Sequence, residues 1–158
     1  MAIEQSVRRV DVTALNMPDP VILDQGTPIR EVIERMRERG TGVALLTSEG
    51  SPPQLAGIFT ERDLLLRVVG EKGALDRPAS ELMASEPQAV KENDPIERAV
   101  AIMNREGFRH VPVHGADGRV AGCVRHKDII RYLVEHYAER LLHLPPDPDQ
   151  VATSPEGG

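Results

Sequence analysis

The sequence predicts an α/β (α+β) protein in which one unit is written twice. Each of two pseudo-twofold-related lobes is a small three-stranded sheet with two helices, and an extended C-terminal helix follows. Three observations predict this. TPIREVIERMRERG (27–40) and DPIERAVAIMNREG (94–107) align at an offset of 67, with the proline, isoleucine, methionine and closing glycine coincident. GIFTERD (57–63) and GCVRHKD (122–128) align at an offset of 65. Between these segments each copy passes from a helical apolar period to two strand-like runs and back to a helical period.

Each copy opens with an extended piece, VIL at 21–23 and QAV at 88–90, preceded by the matched pairs Leu15/Leu82 and Pro20/Pro87. Thr27 or Asp94 then reads as an N-cap with proline at the first helical position, and Asp94 with Glu97 reads as a capping box. Ile29, Val32, Ile33 and Met36, like Ile96, Ala99, Val100 and Met103, recur at i, i+3, i+4, i+7 and make a core-facing stripe. Gly40 and Gly107 are placed to end these helices in the left-handed conformation.

The strand-like runs are VALLT and QLAGIF in the first copy and HVPV and VAGCV in the second. The first copy's turn, SEGSPPQL, is two residues longer, a cheap difference because loop-closure entropy grows slowly with length. A second helix starts near Thr60 and near Arg125. The first of these stops at Gly70, whereas KDIIRYLVEHYAERLLHL continues for about four turns, placed to cover the partner lobe or a second subunit. The domain boundaries that follow are 10–72 and 78–138, with 139–158 as the helix end and a mobile tail containing four prolines. A single copy would bury only about 60% of its unfolded surface, so the lobes are expected to pack on each other and leave a cleft between near-equivalent surfaces.

Composition narrows the function. A net charge of −6, no tryptophan, two phenylalanines and two tyrosines supply neither the basic stripe nor the stacking aromatics of a nucleic-acid binder. No apolar run reaches the roughly 18–20 residues that cross a bilayer, and MAIEQSVRRV does not resemble a signal peptide, so a cytoplasmic location without membrane contact is the expectation. Cys123 is the single cysteine and reads as a small buried hydrophobe. The five histidines share no metal-ligand spacing and are read as surface or capping residues. No nucleophile–base pair or glycine-rich phosphate loop is visible, so neither enzyme activity nor a cofactor is expected.

GIFTERD carries the chemistry. Thr60 at N-cap and Asp63 at N3 form a capping box, which accounts for the spacing without a ligand. The same geometry suits a nucleotide: free helix amides and the Thr60 hydroxyl meet a phosphate, Asp63 accepts from ribose hydroxyls, and Ile58 and Phe59 wall a base. In GCVRHKD the hydroxyl is lost, because Arg125 has no short acceptor, yet Asp128 remains. The guanidinium would either hold a phosphate or fill the pocket.

GIFTERD, GCVRHKD and FRHVPV (108–113), set in a duplicated helix-strand-strand-helix, resemble the tandem cystathionine beta-synthase (CBS) domain pair, often called a Bateman module. The resemblance covers about residues 10–138. It implies a Gly, two apolar residues, Ser or Thr, two variable residues and Asp that bind adenosine nucleotides or adenosyl compounds. Thr60 is then the phosphate-side hydroxyl, with Asp63 and Asp128 the ribose carboxylates of two sites, and Arg125 departs from the pattern. The resemblance further implies a base pocket from Val21, Ile22 and Val43 in one copy and Gln88, Ala89, Val90, His110, Val111 and Pro112 in the other. Arg109 and His110 become candidate anion contacts. The implied function is a non-catalytic, homodimeric regulatory module that senses AMP, ADP, ATP or S-adenosylmethionine and passes its state to a regulated protein. The competing reading is a structural or interaction pair with empty clefts, in which Thr60 and Asp63 only cap.

Overall fold

The computed structural model describes residues 10–143, so the expected mobile tail lies outside the described residues. Strand β1 (Val21–Asp24) pairs parallel with β2 (Val43–Thr47), which pairs antiparallel with β3 (Leu55–Thr60). A two-residue β4 (Ala84–Ser85) adds to β3, so the first sheet has four strands instead of three. The second sheet repeats the first three: β5 (Val90–Lys91), β6 (His110–His114) and β7 (Val120–Arg125). Helices α1 (Ile29–Arg39) and α3 (Ile96–Glu106) are the equivalent first helices, and each ends at a left-handed glycine, Gly40 or Gly107. Helix α2 starts as Glu61–Asp63 and opens into a π turn, Leu64–Val68, whereas α4 runs unbroken from His126 to His143.

The starts of α1 and α3 differ from the sequence expectation. Pro28 and Pro95 have extended ψ values of 142° and 146° and stand at N-cap, and neither helix has a side-chain cap. The Asp94 carboxylate instead accepts from the Lys91 amide at 2.7 Å. What satisfies the first helical amides is the other copy's lead-in chain: Ile29 N–H donates to Arg77 O (3.0 Å) and Ile96 N–H to Val10 O (2.9 Å). The reciprocal bonds, Ala79 N–H to Thr27 O (2.8 Å) and Val12 N–H to Asp94 O (2.9 Å), complete two equivalent clasps. A backbone partner is as good as a side-chain cap at satisfying an orphan donor, so Thr27 and Asp94 are released from that role.

These clasps exchange segments between lobes. Val12 and Leu15, which precede the first copy, pack in the second core with Val90, Ile96, Val111, Val113, Val124 and Ile129. Ala79, Leu82 and Met83, which precede the second copy, pack in the first core with Val21, Ile29, Val32, Ala44, Leu46 and Phe59. A third apolar cluster, Val43, Leu45, Ile58 and Cys123, joins the two sheets. Because Ala44 and Leu46 face the first core while Val43 and Leu45 face the other lobe, β2 is buried on both sides, as its unbroken apolar run requires. No helix among the described residues is long and apolar enough to cross a membrane.

Candidate functional site between the lobes

The two motifs launch α2 and α4 at equivalent points, with different contacts. In the first copy the capping box is complete: Asp63 Oδ2 accepts from Thr60 N–H and from the Thr60 hydroxyl, both at 2.9 Å, and Asp63 N–H reaches Thr60 Oγ1 at 3.4 Å. Asp63 Oδ1 faces the Arg67 guanidinium, 3.6 Å away, and the side chain keeps 14% exposure. Arg67 also donates to the carbonyls of Leu82 (3.1 Å) and Met83 (2.8 Å), tying α2 to the segment that leads into the second copy.

In the second copy the guanidinium turns back on its own motif. Arg125 Nε donates to Asp128 Oδ2 at 2.8 Å, Nη2 donates to Oδ1 at 2.6 Å, and Arg125 N–H adds 3.0 Å to Oδ2. The Asp128 side chain is 0% exposed. These hydrogen bonds hold the Arg125 charge still more firmly than usual, against the cost of burial.

A cavity of about 550 Å³ lies between the lobes. Ile33, Met36 and Arg37 of α1, Thr41 and Gly42, and Glu61 and Leu64 of α2 form one wall, and Arg109, His110, Arg125, His126 and Lys127 form the other. Glu61 is packed over Gly42: a Cβ there would lie 2.9 Å from the Glu61 carboxyl, and Glu61 N–H donates to Gly42 O at 3.1 Å. The second wall is cationic enough to be felt by its own imidazole. Burial pushes the His110 pKa down from 6.5 to about 4, and the charges of His126, Arg125 and Lys127 add to the effect, with Asp128 opposing. Cys123 behaves as expected for a buried thiol, pushed up to about 12 by burial and by Asp128.

The residues named from sequence therefore divide. Arg109, His110 and Arg125 share the cavity, and Thr60 and Asp63 flank its Glu61. Phe59 does not wall the cleft, because the strand alternation turns it into the first core, fully buried, while Ile58 faces the other lobe. Val21 belongs to the first core, Val90 and Val111 to the second, Val43 to the contact between sheets, and Pro112 is buried. Ile22 is exposed on the edge strand β1, and Ala89 is half-buried. Gln88 is held by the side chains of Glu106 and Arg105. His110, read as a candidate anion contact, lines the cavity, and so does His126, beyond the surface or capping role read for it. Glu61, Lys127 and Arg37 were missed. The signal for the first two is their place at the motif's two variable positions at a helix start, Glu61 one residue after Thr60 and Lys127 two residues after Arg125, with the acidic Glu61 replaced by His126 at the equivalent position of the second copy.

Paired lobes with exchanged lead-in segments and a cleft between two matched helix starts define a tandem-repeat protein. The chain belongs to the CBS domain family, whose model matches residues 11–70 and 79–135. It is 32% identical over 123 residues to an uncharacterised protein of Methanopyrus kandleri, an alignment spanning 73% of this chain and 62% of that protein's length. A mitochondrial CBS domain-containing protein of Arabidopsis thaliana is 26% identical over 119 residues, 73% of this chain and 57% of its own length. Among solved structures, a CBS domain protein of Pyrobaculum aerophilum complexed with AMP is 30% identical, with a TM-score of 0.72 over 82% of this chain and 99% of that one. A CBS-domain protein of Agrobacterium tumefaciens is 29% identical, with a TM-score of 0.63 over 72% and 83% of the two chains.

Proposed function

We propose that the chain is a non-catalytic regulatory module that binds an adenosine nucleotide, AMP, ADP or ATP, in the cleft between its lobes. The carrying observation is the cationic wall: Arg109, His126 and Lys127 converge on one cavity, beside Arg125 paired with Asp128, in a chain of net charge −6. Surface acidity would be the bland outcome of that composition, so a local excess of basic residues, with Glu61 the acidic residue of the lining, supports an anion there. The AMP complex of the Pyrobaculum protein supports the nucleoside half of the reading. S-adenosylmethionine carries no phosphate and uses this wall less well.

In this reading the ribose hydroxyls donate to Asp63 Oδ1, the oxygen that Arg67 faces loosely at 3.6 Å. Competition for that oxygen loosens Arg67 from Leu82 and Met83, and so reaches the inter-lobe segment and, through it, a regulated protein. A homodimer is part of the proposal. Leu65 of α2, Val69 at its C-cap, and their equivalents Ile130 and Val134 of α4 are all more than half exposed, and apolar positions repeated in both copies suit a twofold partner. The completed capping box favours the second reading, an interaction module with an empty cleft.

A thermal-shift screen with AMP, ADP, ATP and S-adenosylmethionine tests the proposal. A specific ligand at 100 times its dissociation constant adds about 2.7 kcal/mol. In a domain of this size that raises the melting temperature by roughly 5–11 °C. Flat curves for all four at millimolar concentration would leave the interaction module standing.

A further inference from the structure

We infer that the cleft takes one nucleotide per chain, on the first copy's side, because Arg125 occupies the second copy's carboxylate as an internal substitute for ribose. The inference rests on the nucleotide reading and adds stoichiometry and a specificity-determining residue to it. A ribose diol binds a carboxylate by donating hydrogen bonds to one or both of its oxygens. Arg125 already does this with Nε on Oδ2 (2.8 Å) and Nη2 on Oδ1 (2.6 Å), and with a formal charge the diol lacks.

Displacing it would strand a guanidinium against an incoming neutral sugar, and Asp128 is closed to solvent in any case. The equivalent first-copy residue, Thr60, is too short to span its aspartate and uses one oxygen only, which leaves Asp63 Oδ1 reachable. The duplicated motif is thus working on one side and self-satisfied on the other, while Arg125 lines the shared cavity with its charge paired to Asp128.

Equilibrium dialysis of the full chain against AMP tests this. The wild type is expected to bind one AMP per chain, Asp63→Ala none, Arg125→Thr two, and the double variant one. Arg125→Thr recreates the hydroxyl–carboxylate spacing of Thr60 and Asp63, and circular dichroism checks its fold. Should it unfold, the wild type and Asp63→Ala still decide: one AMP lost on substitution supports the inference, and one retained overturns it. Two AMP per wild-type chain, or one in a folded Arg125→Thr, would overturn the stoichiometry and leave nucleotide binding intact. No AMP bound by either protein would overturn both.

Discussion

Gly57 and Met83 are in contact so close that no side chain fits between them. A Cβ on Gly57 would lie 2.7 Å from Met83 Cγ and 2.9 Å from its Cε, with the sulfur nearer still. At the equivalent Gly122, the nearest atom is Met17 Cε at 3.6 Å, an ordinary contact. Gly57→Ala is therefore expected to cost about 1–3 kcal/mol, since Met83 is packed in the first core and has to be displaced. Gly122→Ala is expected to be near neutral. Urea unfolding midpoints of the two variants check this, and equal losses would mean that the glycines serve a common purpose in the motif.

His110 gives a signed pH dependence. Its pKa in the folded chain is about 4, against 6.5 when unfolded, so between those values the unfolded state binds more protons. This contribution to stability is level above about pH 6.5, falls as pH drops towards 4, and levels again below. Its slope cannot exceed about 1.4 kcal/mol per pH unit. His110→Gln is expected to flatten the profile of melting temperature in that window, and a histidine titration followed by NMR is expected to place the wild-type midpoint well below 6. A bound phosphate reverses part of the shift by offsetting Arg125, Lys127 and His126, so nucleotide binding at pH 5 is expected to take up protons. Calorimetry in buffers of different ionisation enthalpy measures that uptake.

The fold was legible because periodicity and duplication report the same thing twice: α1 and α3, and β2, β3, β6 and β7, fall where the apolar patterns put them. What the pattern could not carry was partnership over distance. Thr27 and Asp94 have good N-cap chemistry, yet the amides they would cap are held by Arg77 and Val10 of the other copy's lead-in. Arg125 was recognisable as a departure from the motif, but whether its charge would face a ligand or Asp128 depended on a rotamer, which no spacing encodes. Phe59 was misplaced for a simpler reason. In a strand buried on both faces, hydrophobicity does not say which core a residue enters.

The cationic wall leads to an ordering by phosphate number. Arg109 and Lys127 both line the cavity, so Arg109→Ala and Lys127→Ala are expected to weaken ATP more than AMP, by about tenfold against about threefold on the scale of partly exposed charge pairs. Raising salt from 50 to 300 mM is expected to narrow the gap between the two nucleotides, because exposed charges are screened over about 8 Å at physiological ionic strength. Titration calorimetry at the two salt concentrations provides the comparison. Equal losses for ATP and AMP would place the phosphates elsewhere.

Self-association is expected to depend on α2 and α4 together. Leu65 is 65% and Ile130 54% exposed at equivalent positions, and Val69 at the C-cap of α2 and Val134 one turn further along α4 are 63% and 61% exposed. Leu65→Glu with Ile130→Glu removes no core contact, so the melting curve of the subunit is expected to change little. Light scattering is expected to fall from the mass of a dimer to that of a monomer at tens of micromolar. A wild type that is already monomeric there would defeat this part of the proposal.

The segment exchange makes an N-terminal substitution act on the C-terminal copy. Val12 is fully buried, its amide is held by Asp94 O, and its neighbours belong to the second core. Val12→Asp places an unpaired carboxylate among them, a change expected to cost more than about 3 kcal/mol. Its location in the fold is the sharper test. Native-state hydrogen exchange is expected to show protection lost first in β6 and β7, about a hundred residues downstream, while β2 and β3 of the first copy open later. If β2 and β3 open first, Val12 stabilises the copy it precedes, and the exchanged packing is not what holds the second lobe together.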